Sequence, residues 1–585
     1  MDRRHFLRSL PWSTVFPVAW GSLSSFTLSS FLPSNKNPFV DRLLTALVRY
    51  NDDRITTLLT LQEQDKGSPW WGGSKNRDGI HSAQLTGAFI KTLVSSWVAP
   101  TSTYYQSSTV AEALQMAAQY LLVAQHEDGT VDLYSTNFHS PPDTAFTTDP
   151  VSQAYAVLDT SASSADETLL GNLRTFLINA GKALAIGGIH TPNHRWVVSM
   201  ALARIHALFP DATYAERVDE WLQEGIDIDE DGQYTEQSTL TYTPLVNRWL
   251  ITIARLLDKP TLLEPVRRNL EMSLYYLHAN GEVVTEGSGR QDQYQRGNMA
   301  KYYYAYRYMA LLDQNPRFAS MARYLEAHHT KPLTQWILYF WEDPALMAPL
   351  PATTPLPTQY TKVFPGSQLA RIRRGAVDAT VLAENPIFFT FFKNNAALEG
   401  IRLATAFFGK GQFEGEQLEV KDGRFYLQQH LVGPYFQPYP SERIPGDGDW
   451  EKLPRHDRPH SEVQQLHYQV SVQETDAAFT ISISIEGTDH VPVAIELGFR
   501  HGGQLEGVTV PHEEMADKEP DCYLLEDGFG TYRYEDDTIR FGPAVANGGK
   551  AAHRWVQLRG ALPKLEAQSV YLTGYTPFHH EITIS

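Results

Sequence analysis

Residues that could bind an anion and move a proton stand together at one predicted helix start. Residues 187–198 read GGIHTPNHRWVV, with Asn193 and His194 directly before an apolar run of helical spacing. An asparagine amide can donate to a carboxylate, and a histidine exchanges protons near neutral pH. We expect Thr191 as the N-cap and Pro192 in the first turn. A purely structural reading stays open, in which Asn193 caps the helix and His194 packs inward.

A second polar stretch precedes another predicted helix. Residues 231–238 read DGQYTEQS, and Tyr242 stands at the start of the helix that follows. Tyr242 offers a phenol as proton donor, and Glu236 offers a carboxylate. The segment from Asp227 also has calcium-loop spacing, but Ser238 occupies the position where such a loop needs a bidentate glutamate. No metal site is therefore predicted.

These motifs together resemble the toroid polysaccharide lyases, the superfamily of alginate lyase and heparinase II/III type enzymes. The resemblance rests on the Asn193–His194 pair, on D-G-x-x-x-E-x-S followed by Tyr242, and on a glycine-rich stretch ending at Arg290. It implies an α/α toroid joined to an antiparallel β domain, with Tyr242 as the catalytic acid and in many members also the base. One feature differs, because residues 388–409 lack the histidines with which heparinase-like β domains can hold zinc.

The chemistry of such a lyase fits the same residues. Cleaving a uronate by β-elimination requires removal of the C5 proton, which is very weakly acidic until the neighbouring carboxylate is neutralised. A base then takes the proton, and an acid protonates the departing O4. Asn193 and Arg290 would neutralise the carboxylate, and Tyr242 and His194 would share the proton transfers. Neither a metal nor an organic cofactor is required, and whether His194 or a tyrosine is the base stays open.

Further side chains are predicted to contact the sugar chain. Besides Arg290 and Glu236, they are Trp71 and His81 on a loop before a helix, Asn137 and His139 on a long polar loop at 132–143, and Tyr435 in the β domain. The content of 29 Tyr and 12 Trp suits a surface that binds sugars. The uronate, the linkage and endo or exo action stay open, and glucuronate-bearing glycans, alginate and release of a terminal sugar from glucuronate are all candidates.

Charge restricts the class of partner. The formal net charge of −18 would repel nucleic acid and anionic membranes. An acidic poly- or oligosaccharide can still be captured locally, because salt screens exposed charges beyond about 10 Å. Cys522 is the single cysteine, so no intrachain disulfide can form. The oligomeric state is not predicted.

The candidate residues must be positioned by helices and strands, which the spacing of apolar residues predicts. This spacing changes midway along the chain. Residues 36–345 show apolar spacing of three and four, which predicts ten or so helices and an incomplete α/α toroid. Residues 346–360 are rich in proline and read as a linker. Residues 361–585 alternate with period two, as in the stretch 553–562, between turns of the D-G and N-G type such as 422–423 and 547–548, which predicts an antiparallel β-sandwich. The expected fold class is therefore α+β multidomain.

The first residues resemble an export signal. Arg3 and Arg4 precede a modest apolar run that ends near small residues, as in twin-arginine signals, so residues 1–35 are expected to direct the protein to the periplasm. No later run is long enough to span a membrane.

Two other functions stay open. The first is a toroid glycoside hydrolase that uses paired carboxylates, with Asp143, Asp149, Asp231 and Glu236 as candidates. The second is a carbohydrate-binding surface protein without catalysis.

Overall fold

The computed structural model describes residues 38–161, 166–444, 446–510, 521–545 and 565–585. The predicted export signal at 1–35, the predicted N-G turn at 547–548 and a predicted strand at 553–562 lie outside these ranges. In the described ranges, helices occupy the first part of the chain and strands the second, so the α+β class is confirmed.

Twelve α-helices are found in the described ranges. They are α1 (Pro38–Thr60), α2 (Ala83–Trp97), α3 (Ser108–Ala124), α4 (Pro141–Thr160), α5 (Glu167–Ile186), α6 (His194–Leu208), α7 (Ala212–Gln223), α8 (Tyr242–Leu256), α9 (Leu263–Ser273), α10 (Tyr303–Asp313), α11 (Pro316–His328) and α12 (Ile337–Glu342). The last helical turn before the sheets, a 3-10 helix, ends at Met347, and the first strand of the sheet region begins at Gln359. None of the described helices is both long and apolar enough to cross a membrane.

The helices pack in two rows. Helices α2, α4, α6 and α8 each contact the next, and α12 packs against α2 and α4. We call these five the inner helices. Helices α3, α5 and α7 contact one another in the same succession, and α7 buries only Tyr214 and Val218. The first turns of α4, α6 and α8 carry the predicted site residues or their neighbours.

The region predicted as a polar loop at 132–143 has regular structure instead. Strands β1 (Val131–Leu133) and β2 (Asn137–Ser140) form a hairpin, and α4 begins at Pro141. Ser140 caps this helix by accepting from the Asp143 backbone N–H. The sequence did not suggest a helix here because α4 is polar and contains Pro150.

The strands after residue 358 form two eight-stranded sheets. They are β3 (Gln359–Phe364), β4 (Leu369–Arg374), β5 (Val377–Leu382), β6 (Phe389–Lys393), β7 (Ala396–Thr405), β8 (Leu418–Lys421), β9 (Arg424–Phe436), β10 (His460–Thr475), β11 (Ala478–Gly487), β12 (Pro492–Phe499), β13 (Gln504–Glu506), β14 (Cys522–Leu524), β15 (Gly530–Tyr534), β16 (Asp537–Gly542), β17 (Gln568–Tyr575) and β18 (Phe578–Ile584). The strand orders are β14-β17-β12-β7-β6-β5-β4-β3 and β13-β15-β16-β18-β11-β10-β9-β8.

Apolar side chains of both sheets share one core. Phe389 and Phe391 of β6 contact the ring of Phe479 on β11, in the other sheet. Alternating burial along β11 explains its period-two pattern. The predicted turn at residues 422–423 joins β8 to β9 as expected. The sheets are not purely antiparallel, because β14 runs parallel to β17.

A buried ionic cluster joins the helical part to the sheets. His278 Nδ1 lies 2.8 Å from Asp378 Oδ1 on β5. Glu286 Oε1 accepts from the hydroxyls of Thr380 at 3.1 Å and Thr390 at 2.8 Å. Burial alone would lower the pKa of His278, but the two carboxylates outweigh it and raise that pKa. We call residues 278–298, which link α9 to α10, the junction segment.

Candidate functional site

Asn193 presents an unused hydrogen-bond donor at the start of α6. Its side chain is 1% exposed, and its Nδ2 has no hydrogen-bond partner in the described part of the chain. The Thr191 hydroxyl donates to Asn193 Oδ1 at 3.0 Å, which orients the amide with Nδ2 free. A buried amide donor without a partner is unfavourable, so its presence points to a ligand.

The predicted cap at Thr191 is wrong by two residues. The helix begins at His194 and Asn193 is its N-cap residue, although the Asn193 side chain makes no capping bond. A turn precedes the helix, in which the His194 backbone N–H donates to the Thr191 carbonyl at 3.0 Å. Thr191 therefore orients Asn193 instead of capping the helix.

His194 is neutral at physiological pH. Its pKa is lowered to about 4, chiefly by burial, and the positive charge of Arg290 adds to that effect while Asp143 opposes it. Its Nδ1 accepts from the His190 backbone N–H at 3.4 Å. The neutral ring therefore carries its proton on Nε2, a tautomer inferred from this hydrogen bond. His194 can donate from Nε2 but is a weak base.

The start of α4 contributes a buried carboxylate, Asp143, near His194. Asp143 accepts from Ser140 Oγ at 2.6 Å and from Asn137 Nδ2 at 2.9 Å. Phe146, one turn later, meets the His194 ring edge-on at 6.3 Å between centroids. The hairpin thus brings predicted Asn137 close to Asp143, which the sequence offered only as a hydrolase carboxylate, while the contact of Phe146 with His194 was not predicted.

Tyr242 and Arg290, which the sequence assigned to catalysis and substrate binding, are neighbours. Arg290 Cζ lies 5.5 Å from the centre of the Tyr242 ring, and its Nε lies 3.2 Å from Glu236 Oε2. Glu236 is 7% exposed, and neither of its oxygens receives a well-aligned hydrogen bond. Gln291 Nε2 donates to Tyr242 Oη at 3.0 Å, which leaves the phenol proton free to donate elsewhere.

Asp292 holds these two elements together. Its carboxylate accepts from Ser238 Oγ at 3.0 Å and from the Leu240 backbone N–H at 2.9 Å. Ser238 Oγ in turn accepts from the Tyr242 backbone N–H at 3.0 Å. The junction segment therefore fixes the first turn of α8, a role that only the three-dimensional structure reveals.

Trp71 and His81 lie in a loop beside the β1–β2 hairpin. The His81 ring stacks on Trp70 at 5.8 Å, and Trp70 meets the ring of Tyr134 in the hairpin at 5.5 Å. Trp71 Nε1 is buried and has no partner in the described ranges. These contacts place the loop next to Asn137, and a role in sugar binding stays a prediction.

The structure gives His139 and Tyr435 other neighbours. His139 Nδ1 lies 2.7 Å from Asp128 Oδ2, and its ring stacks on His126 at 3.8 Å. Tyr435 is 59% exposed and contacts Phe408. No described contact joins either residue to Asn193, His194 or Tyr242, so their roles in binding stay predictions.

A cavity of about 600 Å³ lies elsewhere, at the junction of helices and sheets. Its walls include Arg296 and Arg500, which are ion-paired with Glu399 and Glu282. Because these charges already satisfy one another, we place the candidate site at Asn193 and not here. Within the described ranges, no group of three or more His, Cys, Asp or Glu residues is arranged to hold a metal ion.

Comparison with known proteins identifies the fold. No family model and no curated protein matches the sequence. Among solved structures, heparinase III superposes with a TM-score of 0.55 at 11% identity, covering 96% of this chain and 87% of that one. The chondroitin AC lyase of Streptomyces coelicolor A3, in complex with chondroitin sulphate, gives 0.54 at 12% identity, covering 95% and 80%. A Paenibacillus xanthan lyase gives 0.55 at 9% identity, covering 94% of this chain and 57% of that one. The chain therefore has the fold of the toroid polysaccharide lyases, and the predicted resemblance is confirmed at that level.

Proposed function

We propose that this protein is an exported polysaccharide or oligosaccharide lyase that cleaves a uronate-containing glycan by β-elimination. The observation that carries the proposal is the buried, unpartnered Nδ2 of Asn193, beside a neutral His194 whose pKa the charge of Arg290 helps to lower. The fold shared with lyases supports it, as does a neighbour that was solved with an acidic glycan, chondroitin sulphate.

Each group then has a defined task. Asn193 Nδ2 and the Arg290 guanidinium stabilise the negative charge on the substrate carboxylate as the C5 proton leaves. Because its pKa is about 4, His194 is a poor proton acceptor, and we assign it to donate a hydrogen bond from Nε2 to the sugar. Tyr242 is left to take the C5 proton in its phenolate form, and the phenol so formed then protonates the departing O4. The chain's own residues thus supply every group that the reaction needs.

The hydrolase alternative has weaker support. Asp143 accepts hydrogen bonds from Ser140 and Asn137. Asp149 is ion-paired with two arginines, and the Ser367 backbone N–H donates to Asp231. Glu236 is paired with Arg290. A hydrolase needs two carboxyl groups that flank the scissile bond and are free to act on it, and all four candidates are engaged.

We further propose the finer architecture expected from the sequence. The inner and outer helix rows would form an incomplete α/α toroid over residues 36–345, residues 346–360 would link it to the second domain, and residues 361–585 would form the β-sandwich. Residues 1–35 would be the twin-arginine signal that directs the protein to the periplasm.

A screen of uronate polymers tests the function. A lyase leaves an unsaturated uronate that absorbs near-ultraviolet light, and we expect this absorbance to rise with at least one polymer containing glucuronate, mannuronate or guluronate. New reducing ends without absorbance would identify a hydrolase. A carbohydrate-binding protein would give neither product and would keep its glycan affinity when Asn193, His194 and Tyr242 are all replaced.

A further inference from the structure

A second cluster of charged side chains lies between the inner helices, apart from the candidate site. Each inner helix contributes one member: Lys91 from α2, Asp149 from α4, Arg204 from α6, Arg248 from α8 and Glu342 from α12. We call these five residues the interior cluster. Arg204 and Asp149 are 3% and 4% exposed, and the proposed reaction uses none of the five.

The cluster is well separated from the reacting groups along the helices. Asp149 follows Asp143 by six residues on α4, and Arg248 follows Tyr242 by six residues on α8. With a rise of about 1.5 Å per residue, this spacing corresponds to roughly 9 Å of helix. The interior cluster is therefore a distinct site.

Two carboxylates in the cluster are shared among arginines. Asp149 lies 3.1 Å from Arg204 Nε and 2.7 Å from Arg248 Nη2. Glu342 lies 3.0 Å from Arg204 Nη1 and 2.5 Å from Arg255 Nη2. A further carboxylate, Asp343, faces Arg255, so that Arg255 adds no surplus charge to the cluster.

Several donors nevertheless stay unused. Arg204 Nη2, Arg248 Nε and Tyr339 Oη are buried and have no hydrogen-bond partner in the described part of the chain. Lys91 Nζ makes no hydrogen bond or ion pair within the same ranges. It lies 5.0 Å from the centre of the Tyr339 ring, and Arg204 Cζ lies 5.7 Å from the same centre. The free donors of Lys91, Arg204 and Tyr339 thus gather around one ring.

The charges do not balance around Lys91. It faces two carboxylates, Asp149 and Glu342, and two guanidinium groups, Arg204 and Arg248. With its own ammonium group protonated, one positive charge is in excess. Lys91 is half-buried beside these groups, so an unpaired ammonium there loses part of its hydration without compensation. Burial lowers the pKa of Lys91 to about 7, so it carries this unpaired charge below neutral pH.

We propose that the interior cluster binds a small monovalent anion, of the size of chloride, next to Lys91, Arg204 and Tyr339. The anion accepts hydrogen bonds from the free donors and cancels the excess positive charge. Binding requires the charged form of Lys91, so affinity is highest below pH 7 and falls as the pH rises toward 9. Because it rests on the interior cluster alone, this site holds whether or not the protein is a lyase.

Thermal unfolding in different anions tests the site. The melting temperature is measured at pH 6 in sodium chloride and in sodium gluconate of the same ionic strength, since gluconate is a much larger anion than chloride. We expect chloride to raise the melting temperature by on the order of a few degrees, because a ligand that binds only the folded state stabilises it. The difference should vanish in Lys91→Met and persist in Lys182→Met, which removes an exposed lysine of α5.

A direct measurement covers the case in which Lys91→Met does not fold. Crystals of the unaltered protein are soaked in sodium bromide, and bromide is located by its anomalous scattering. A peak within hydrogen-bond distance of Lys91 Nζ and Arg204 Nη2 supports the proposal. Only water at that position, or a chloride effect equal in both lysine variants, overturns it.

Discussion

Replacing Asn193 with alanine separates a catalytic role from a structural one. The side chain makes one described hydrogen bond, from Thr191 to Oδ1, and no capping bond. Loss of one neutral hydrogen bond costs about 1 kcal/mol of stability. Loss of a donor that stabilises charge in the transition state costs about 10²–10³ in kcat, or roughly 2.7–4 kcal/mol. The predicted increase in the activation free energy of the reaction is therefore at least twice the predicted loss in the free energy of unfolding.

The assay pairs initial rate with thermal unfolding on the same samples, using the best uronate polymer from the screen. Thr191→Val is a milder variant for comparison. It removes the hydroxyl that orients the Asn193 amide but keeps nearly the same side-chain shape. One lost hydrogen bond predicts about a fivefold fall in kcat/KM, and Thr191→Ser should restore the rate. The reasoning is refuted if Asn193→Ala unfolds the protein while its folded fraction works normally, since Asn193 would then be only part of a helix start.

Three further predictions concern proton transfer, charge and export. Tyr242→Phe should lower kcat by about a hundredfold or more with an almost unchanged melting temperature; an equal loss of stability would make Tyr242 structural. The pKa of His194 is lowered from its usual 6.5 to about 4, so its contribution to stability is complete above pH 6.5 and is lost as the pH falls toward 4. His194→Gln should flatten that part of a plot of unfolding free energy against pH, and an unchanged slope would contradict the assigned shift. Replacing Arg3 and Arg4 together with lysine should retain the precursor in the cytoplasm, as fractionation and immunoblotting would show, whereas normal delivery to the periplasm would exclude the twin-arginine route.

The periodicity of the sequence was informative wherever one face of an element is buried. Helix α7 and strand β11 follow their predicted spacing, because the two buried side chains of α7, Tyr214 and Val218, are four residues apart and those of β11 recur every two residues. The same approach failed for α4, which is buried on most sides and polar inside, so it shows no apolar stripe. Packing against neighbouring helices makes α4 a helix, and no local pattern records that packing.

The candidate site was predictable where a motif lies within one segment. Asn193, His194 and Tyr242 stand at helix starts that their own sequence marks. The contacts of Asp292 were not predictable, because they reach across a fold whose pairings only the structure shows, and no local pattern places Asp143 near His194. Asp292 binds Ser238, which is 54 positions away in sequence. The exact cap was missed because Thr191 suits a cap by type, although a turn places it before the helix.

The bonds that hold the junction segment also set an order of events during folding. His278 is hydrogen-bonded to Asp378, which is 100 positions later in the sequence, and Glu286 is hydrogen-bonded to Thr390, which is 104 positions later. Closing loops of that length is entropically costly and slow compared with helix formation. Helices α6 and α8 can form early from local contacts, but the junction segment that carries Arg290 gains its contacts with the sheets only after β5 and β6 are in place. A nascent chain released before β6 would carry Asn193 and Tyr242 without a completed site, so activity should appear late in refolding, after most helical signal has returned.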